Sequence, residues 1–274
     1  MKTFLLTGSA RGLGRSIATS VLEAGHQLIA TARDPDQLAD LVDRHASRIL
    51  PVALDVTDGE AAQLAVKAGV ERFGRIDVVI NNAGFGIVGS VEDMPMSAIR
   101  AQLETNFLGS VNVIKAALPV LRGQGAGHII QVSSIGARIA TPGAAAYYAS
   151  KWALAGFIES LALEIRPLGI HVTAIEPGGM RTDFADDSSL TIIPGSAAYA
   201  ATSGATAQMM KSPDYLASTT DPARIAALIL KVAGLEDPPL RLLAGSGTHD
   251  YGTAADGMRA KEDARWKWLS AFAD

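Results

Sequence analysis

Residues 3–14 read Thr3-Phe4-Leu5-Leu6-Thr7-Gly8-Ser9-Ala10-Arg11-Gly12-Leu13-Gly14, and this stretch decides the fold. Its first half is short, mostly apolar and bounded by glycine, the pattern of a buried strand. It runs directly into a glycine-rich turn, and residues 16–24 then take helical spacing. Glycine permits a tight turn and close approach of a pyrophosphate to backbone N–H groups, and a helix N-terminus adds partial positive charge. The spacing is G-x3-G-x-G. Alone, such a triplet is equally the mark of a plain turn; its place between first strand and first helix gives it the phosphate reading. Gly8, Ser9, Arg11, Gly12, Leu13 and Gly14 are therefore candidate cofactor ligands.

The same alternation continues outward. Short runs rich in Ile, Val and Leu at 27–32, 49–54, 76–80, 128–132, 171–175 and 240–243 read as further strands. Helical spacing recurs at 37–45, 61–73, 97–121, 147–165 and 222–232. Continuously apolar strands alternating with helices imply a parallel sheet covered on both faces, here in one α/β domain spanning 1–274. Residues 183–220 break the pattern. They are rich in Ala, Ser and Thr, include Met209-Met210, and have the length of a lid or binding loop.

Composition narrows the function. The chain has 274 residues, 48% hydrophobic and 19% charged, with net charge −4. That balance gives no footprint for nucleic acid. Without cysteine there are no disulfides or thiolate metal sites, and a reducing compartment is allowed. The first apolar run is too short for a signal peptide. No stretch reaches 18 uncharged apolar residues, and even 152–165 carries Glu159 and Glu164, so no membrane span is expected. A soluble, cytoplasmic protein is the expectation.

In a doubly wound sheet, ligands sit beyond the carboxyl ends of the strands. The second strand ends Ala32-Arg33. An NAD site usually carries Asp or Glu there for the ribose 2′-hydroxyl; here Arg33 and Arg11 offer two guanidinium groups that suit a 2′-phosphate. The alternative is that both are solvated surface charges, and Asp34, directly after Arg33, speaks for it. Asp55 and Val56 follow the third strand. Asp55 is placed to accept from an adenine amino group or to form a turn, while Asp58 fits a helix cap better. Asn81-Asn82-Ala83-Gly84 closes the fourth strand, where amides can tie neighbouring strands and Asn82, Ala83 and Gly84 can present backbone to a ribose.

The reactive candidates follow the fifth strand. Ser134 ends it, and Tyr147 and Lys151 lie four residues apart on the next helix, sharing one face. A free tyrosine has a pKa of about 10. An ammonium about 4 Å away contributes on the order of 4 kcal/mol at an effective dielectric of about 20. That coupling is expected to lower the phenol by up to roughly three units, into the range where it both gives and takes a proton. Ser134 can orient a substrate oxygen. Asn106 can bend its helix and hold a relay water, or be an ordinary solvated residue.

Taken in order, Thr7–Gly14, Asn81–Gly84, Asn106, Ser134, Tyr147 and Lys151 resemble the short-chain dehydrogenase/reductase family over residues 2 to about 232. The resemblance implies a Rossmann-like domain with a seven-stranded parallel sheet of order 3-2-1-4-5-6-7. It implies Tyr147 as general acid/base, Ser134 as donor to the substrate oxygen, Lys151 as ribose ligand and pKa modifier, and Asn106 as fourth member. Pro177, Gly178 and Thr182 would lie along the nicotinamide. With Arg11 and Arg33 but no acid at Ala32, the chain resembles the short, NADP-preferring kind.

The implied reaction is hydride transfer between NADP(H) and a carbonyl or secondary alcohol, with no metal and a homodimer or homotetramer as the assembly. A non-catalytic NADP(H)-sensing regulator is the alternative; its signature would be loss of the tyrosine, lysine or serine, and all three are present. Ile192, Ile193, Pro194, Tyr199, Met209, Met210 and Tyr215 make the excursion fairly apolar, which fits an apolar substrate. Phe85, Ile135, Arg138, His249 and Tyr251 are further candidates for its pocket. Glu176 stands out as a charge at an otherwise apolar strand end.

Overall fold

The computed structural model describes residues 1–181 and 190–273. Its strands are β1 (Thr3–Leu6), β2 (Gln27–Ala32), β3 (Ile49–Ala53), β4 (Val78–Asn81), β5 (Gly86–Val88), β6 (Gly127–Val132), β7 (Ile170–Pro177), β8 (Leu190–Ile192) and β9 (Arg241–Ala244). Seven form one sheet in the order β3-β2-β1-β4-β6-β7-β9, every neighbouring pair parallel. Counting only these seven, the order is 3-2-1-4-5-6-7, as the family resemblance implies.

The helices are α1 (Gly12–Glu23), α2 (Ala39–His45), α3 (Gly59–Phe73), α4 (Met96–Leu103), α5 (Gly109–Gln124), α6 (Ala145–Ile165), α7 (Ala205–Met210), α8 (Pro213–Ser218), α9 (Pro222–Ala233) and α10 (Ser246–Ser270). Alternate strand residues feed two cores, because successive side chains point to opposite faces. Phe4, Leu6, Leu28, Ala30 and Ile80 pack with Ile17 and Val21 of α1 and Ile225 and Ile229 of α9. Leu5, Ile29, Val79 and Ile129 pack with Val66 of α3, Val113 and Ile114 of α5 and Ile158 of α6. Each such buried Leu, Ile or Val is worth about 1.5–3 kcal/mol relative to exposure, so both faces hold the sheet and leave only its ends for chemistry.

Three features depart from the periodic pattern. The helix expected at 97–121 is broken by a π-helical turn, Glu104–Leu108, between α4 and α5. The excursion begins and ends at one neck, where Met180 bridges Thr220 and the Arg181 and Thr220 N–H groups donate to the Thr220 and Gly179 carbonyls. Within it β8 pairs with β5 in a separate two-stranded sheet. Finally, α10 buries only Gly252 and Ala255, too little for an apolar stripe to announce it.

Among the described residues no helix is long and apolar enough to cross a membrane, and no group of three metal-ligating side chains occurs. Asp58 caps α3, its carboxylate accepting from the N–H groups of Glu60 and Ala61. Asp58→Ala should therefore lower unfolding free energy by about 1 kcal/mol. Urea denaturation checks this, and an unchanged midpoint would contradict it.

Candidate active site

A cleft of about 640 Å³ opens beyond the carboxyl ends of the strands, a size suited to a small-molecule ligand. Its floor is built by the turn between β1 and α1. Gly8 sits at φ +68°, in the left-handed region that favours glycine. A Cβ on Gly14 would fall 1.9 Å from the Gly8 carbonyl oxygen and 2.6 Å from Asn82 Nδ2, so only glycine allows this approach. Helix α1 starts here with no acidic residue in its first turn and no side-chain cap, leaving its amino end suited to an anion.

Thr7, which sequence reading passed over, locks this turn to β4. Its Oγ1 accepts from the N–H groups of Asn82 at 2.9 Å and Ala83 at 3.0 Å. Asn82 Nδ2 donates back to the carbonyls of Thr7 at 2.9 Å and Gly8 at 3.2 Å. The amides at this strand end thus tie neighbouring strands, as their type predicts.

At the β2 side, Arg11, Ala32, Arg33, Asp34 and Gln37 line the cleft. Asp34 is already engaged: its carboxylate accepts from the Asp36 N–H at 3.1 Å and from Gln37 Nε2 at 3.4 Å. Asp55 and Val56 line the adjoining wall. Asp55 Oδ1 accepts from the N–H and hydroxyl of Thr57. The Thr57 N–H bond first, then the Thr57 hydroxyl and the Arg33 charge, outweigh burial and hold the Asp55 carboxyl below its ordinary range.

Across the cleft lie Asn106, Tyr147 and Lys151. Asn106 is buried in the π turn. Its Oδ1 accepts from Phe85 N–H at 3.0 Å, and its Nδ2 donates to the Phe85 carbonyl at 2.9 Å and Ser150 Oγ at 3.2 Å. Ser150 Oγ in turn donates to the Tyr147 carbonyl at 2.6 Å. Asn106 is therefore no solvated residue; it pins the π turn to α6 at the tyrosine.

Ser134 lies two residues beyond β6 and accepts from the Gly136 N–H at 3.0 Å. Its hydroxyl also hydrogen-bonds the Tyr147 phenol and favours the phenolate. Burial dominates, however, and pushes Tyr147 up to about 12, while burial pushes Lys151 down to about 8. The lysine Nζ donates to the Val132 carbonyl at 3.2 Å and lies 5.6 Å from the centroid of the tyrosine ring. The expected lowering of the phenol by its neighbour is thus not realised in the protein alone: the ammonium faces a carbonyl and the ring, and desolvation acts on both groups.

Other expected residues fall outside this wall. Ser9 is fully buried, its hydroxyl donating to the Leu6 carbonyl and its N–H to the Thr31 carbonyl. Pro177 and Gly178 continue β7 beside the cleft without lining it, Gly178 packing against Thr248. Thr182 lies outside the described residues. Phe85 does line the cleft, as does Met180, which was not anticipated. Arg138 is drawn away into an ion cluster with Glu176, and His249 is exposed at the surface.

Fold and cleft together define a nucleotide-binding α/β protein of the Rossmann type. The chain belongs to the short chain dehydrogenase family, whose pattern it matches over residues 2–193, and is an oxidoreductase of that family. It is 47% identical over 270 residues to an oxidoreductase, BOA17, of Botryotinia fuckeliana, covering 98% of each chain. It is 33% identical to a 3-ketodihydrosphingosine reductase of Bacteroides thetaiotaomicron, covering 88% of this chain and 87% of that one. A short-chain dehydrogenase of Streptomyces avermitilis superposes with TM-score 0.91 at 35% identity over 100% of both chains. One from Burkholderia cenocepacia, solved in complex with NADP, superposes with TM-score 0.75 at 26% identity over 97% of this chain and 98% of that one.

The buried lysine predicts a pH signature. Lys151 has its pKa at about 8 in the fold against 10.5 for an unburied lysine. Between those values the unfolded chain holds more protons, so this contribution to stability rises with pH across the window. Its size is up to about 3 kcal/mol at about 1.36 kcal/mol per pKa unit. In urea unfolding from pH 7.5 to 10.5, taken to bracket the window roughly, the wild type should gain steadily on Lys151→Met. Parallel stability curves would contradict the assignment.

Proposed function

We propose that this chain catalyses hydride transfer between NADP(H) and a carbonyl or secondary alcohol, with Tyr147 as general acid/base. One observation carries the reading: Tyr147 and Lys151 line one side of the cleft, the Tyr147 phenol bonded to the Ser134 hydroxyl, while the β2 side presents Arg11 and Arg33 and, among the described residues, no uncommitted acid. The turn at Gly8–Gly14, the uncapped start of α1 and the buried Ser133 Oγ, which has no partner among the described residues, fit a dinucleotide. Gly8, Arg11, Gly12, Leu13 and Gly14 would hold its phosphates, Arg11 and Arg33 the 2′-phosphate, and Asp55, Val56 and Asn82–Gly84 its adenine and ribose portions. Ser9, Pro177 and Gly178 would serve as backbone supports behind that surface. The NADP complex of the Burkholderia neighbour supports the choice of cofactor.

When bound, the reduced nicotinamide supplies a hydride. The protein's part is to place and protonate. The Ser134 hydroxyl, fixed by the Gly136 N–H behind it, donates to the carbonyl oxygen and orients it. The Tyr147 phenol, kept protonated by burial, gives its proton to that oxygen as the carbonyl carbon gains hydride. Lys151 stands beneath the ring to stabilise the resulting phenolate and to grip a ribose. Asn106, through Ser150, keeps Tyr147 in register. The substrate is a fairly apolar ketone or alcohol, and the name of the Bacteroides relative, a ketone reductase, supports that class. The described part of the excursion, residues 190–220, would supply its cover.

Tyr147→Phe should bind NADPH within about twofold of wild type while turnover over a panel of ketones falls about 10²–10⁴-fold; undiminished turnover would overturn the role. Replacing both Arg11 and Arg33 by Ala should weaken NADPH binding on the order of 10–100-fold and leave NADH binding nearly unchanged, since charged hydrogen bonds are worth about 1.5–3 kcal/mol. Fluorescence titration reads both, and parallel loss of the two cofactors would contradict a 2′-phosphate site.

A further inference from the structure

Glu176 is fully buried at the end of β7, a place where an apolar side chain would pack at lower cost. Both its oxygens are taken. Oε2 lies 2.5 Å from Arg138 Nε, and Oε1 lies 2.6 Å from Arg241 Nε. Each arginine also reaches outward: Arg138 Nη1 to Asp256 of α10 at 2.5 Å, and Arg241 Nη1 to Glu159 of α6 at 2.8 Å. Arg259 joins from α10, donating to the Arg138 carbonyl and to Asp256.

Both arginines meet one short turn, Ile135–Ala137, which follows Ser134, Arg138 through its backbone and Arg241 through its guanidinium. Arg138 closes that turn, its N–H donating to the Ile135 carbonyl, and Arg241 Nη2 donates to the Ala137 carbonyl at 3.4 Å. The turn itself folds back on the serine: Gly136 N–H donates to Ser134 Oγ and Ala137 N–H to the Ser134 carbonyl, both at 3.0 Å. A planar guanidinium bonded through two different nitrogens is fixed in orientation, unlike an ammonium.

We propose that Glu176 is a positioning residue that, through Arg138 and Arg241, clamps the turn after Ser134 and so aims the serine hydroxyl at Tyr147, with α10 fastened to the same clamp. The inference rests on the role assigned to Ser134 above. It accounts for a charge in an apolar strand end and for a 25-residue helix with only two buried residues docking where it does. Stability alone would be served as well by apolar packing; a fixed orientation would not.

The test uses Arg138→Met, in which Glu176 keeps Arg241, together with Glu176→Gln and Arg138→Lys, all in the full chain. Hydrogen exchange read by mass spectrometry over residues 133–144 should quicken about tenfold in Arg138→Met and Glu176→Gln, with NADPH binding held within about twofold. Turnover of the fastest ketone of the panel should fall about tenfold in Arg138→Met, and Arg138→Lys should recover part of that loss. In a Ser134→Ala background the same Arg138→Met change should cost less than about twofold, because residues acting through one another do not add. Unchanged exchange in a folded Arg138→Met protein would overturn the proposal, as would an equal loss in both backgrounds. If Ser134→Ala itself leaves turnover unchanged, it is the role of the serine that fails, and the exchange result still decides whether the clamp exists.

Discussion

The carbonyl oxygen of Gly8 occupies the space that any side chain at residue 14 would need, 1.9 Å from where its Cβ would stand. Everything at the cleft depends on that approach. It lets α1 begin hard against the end of β1, so its amino end faces the cleft floor. It brings the turn within reach of Asn82, whose amide binds the carbonyls of Thr7 and Gly8, while Thr7 answers with its hydroxyl. The ends of β1 and β4 are joined by this exchange.

The same economy of contacts governs the opposite wall. Backbone geometry, more than charge, sets the reactive group: the π turn lets Asn106 bond both the Phe85 backbone and Ser150, and Ser150 fastens the Tyr147 carbonyl. Ser134 is held from behind by its own turn. The phenol and the ammonium are each desolvated, one pushed up and the other down. Both shifts have one cause: burial disfavours the charged form of each group, so the two move apart in proton affinity.

The main sheet was legible because its inner strands, such as β1 and β4, are buried on both faces, so apolar continuity marks them directly. The glycine turn and the Tyr147–Lys151 spacing were legible for a similar reason, since each is a local pattern within a few residues. What escaped reading depends on distance or on the absence of an apolar stripe. β5 and β8 are three residues each, below the length at which alternation shows. The break in the helix at Glu104–Leu108 holds no Pro or Gly, and only Asn106, a residue able to bend its helix, hints at it. α10 is held by Arg138, Asp256 and Arg259 rather than by hydrophobic burial, and periodicity cannot see ion pairs. Thr7 looked like the end of a strand, and its partners lie 75 and 76 positions away. The sign of the tyrosine shift was missed because spacing gives proximity on a helix face but says nothing about desolvation or about which atom the lysine meets.

The central proposal for this cleft is hydride passing to a carbon whose oxygen Ser134 and Tyr147 hold. The most direct measurement is the fate of deuterium when a ketone is reduced with NADPH carrying deuterium at both hydrogens of nicotinamide C4. The account predicts an alcohol carrying one deuterium on the carbinol carbon, formed in step with cofactor oxidation. Cofactor oxidation that leaves the alcohol carbon unlabelled would contradict it.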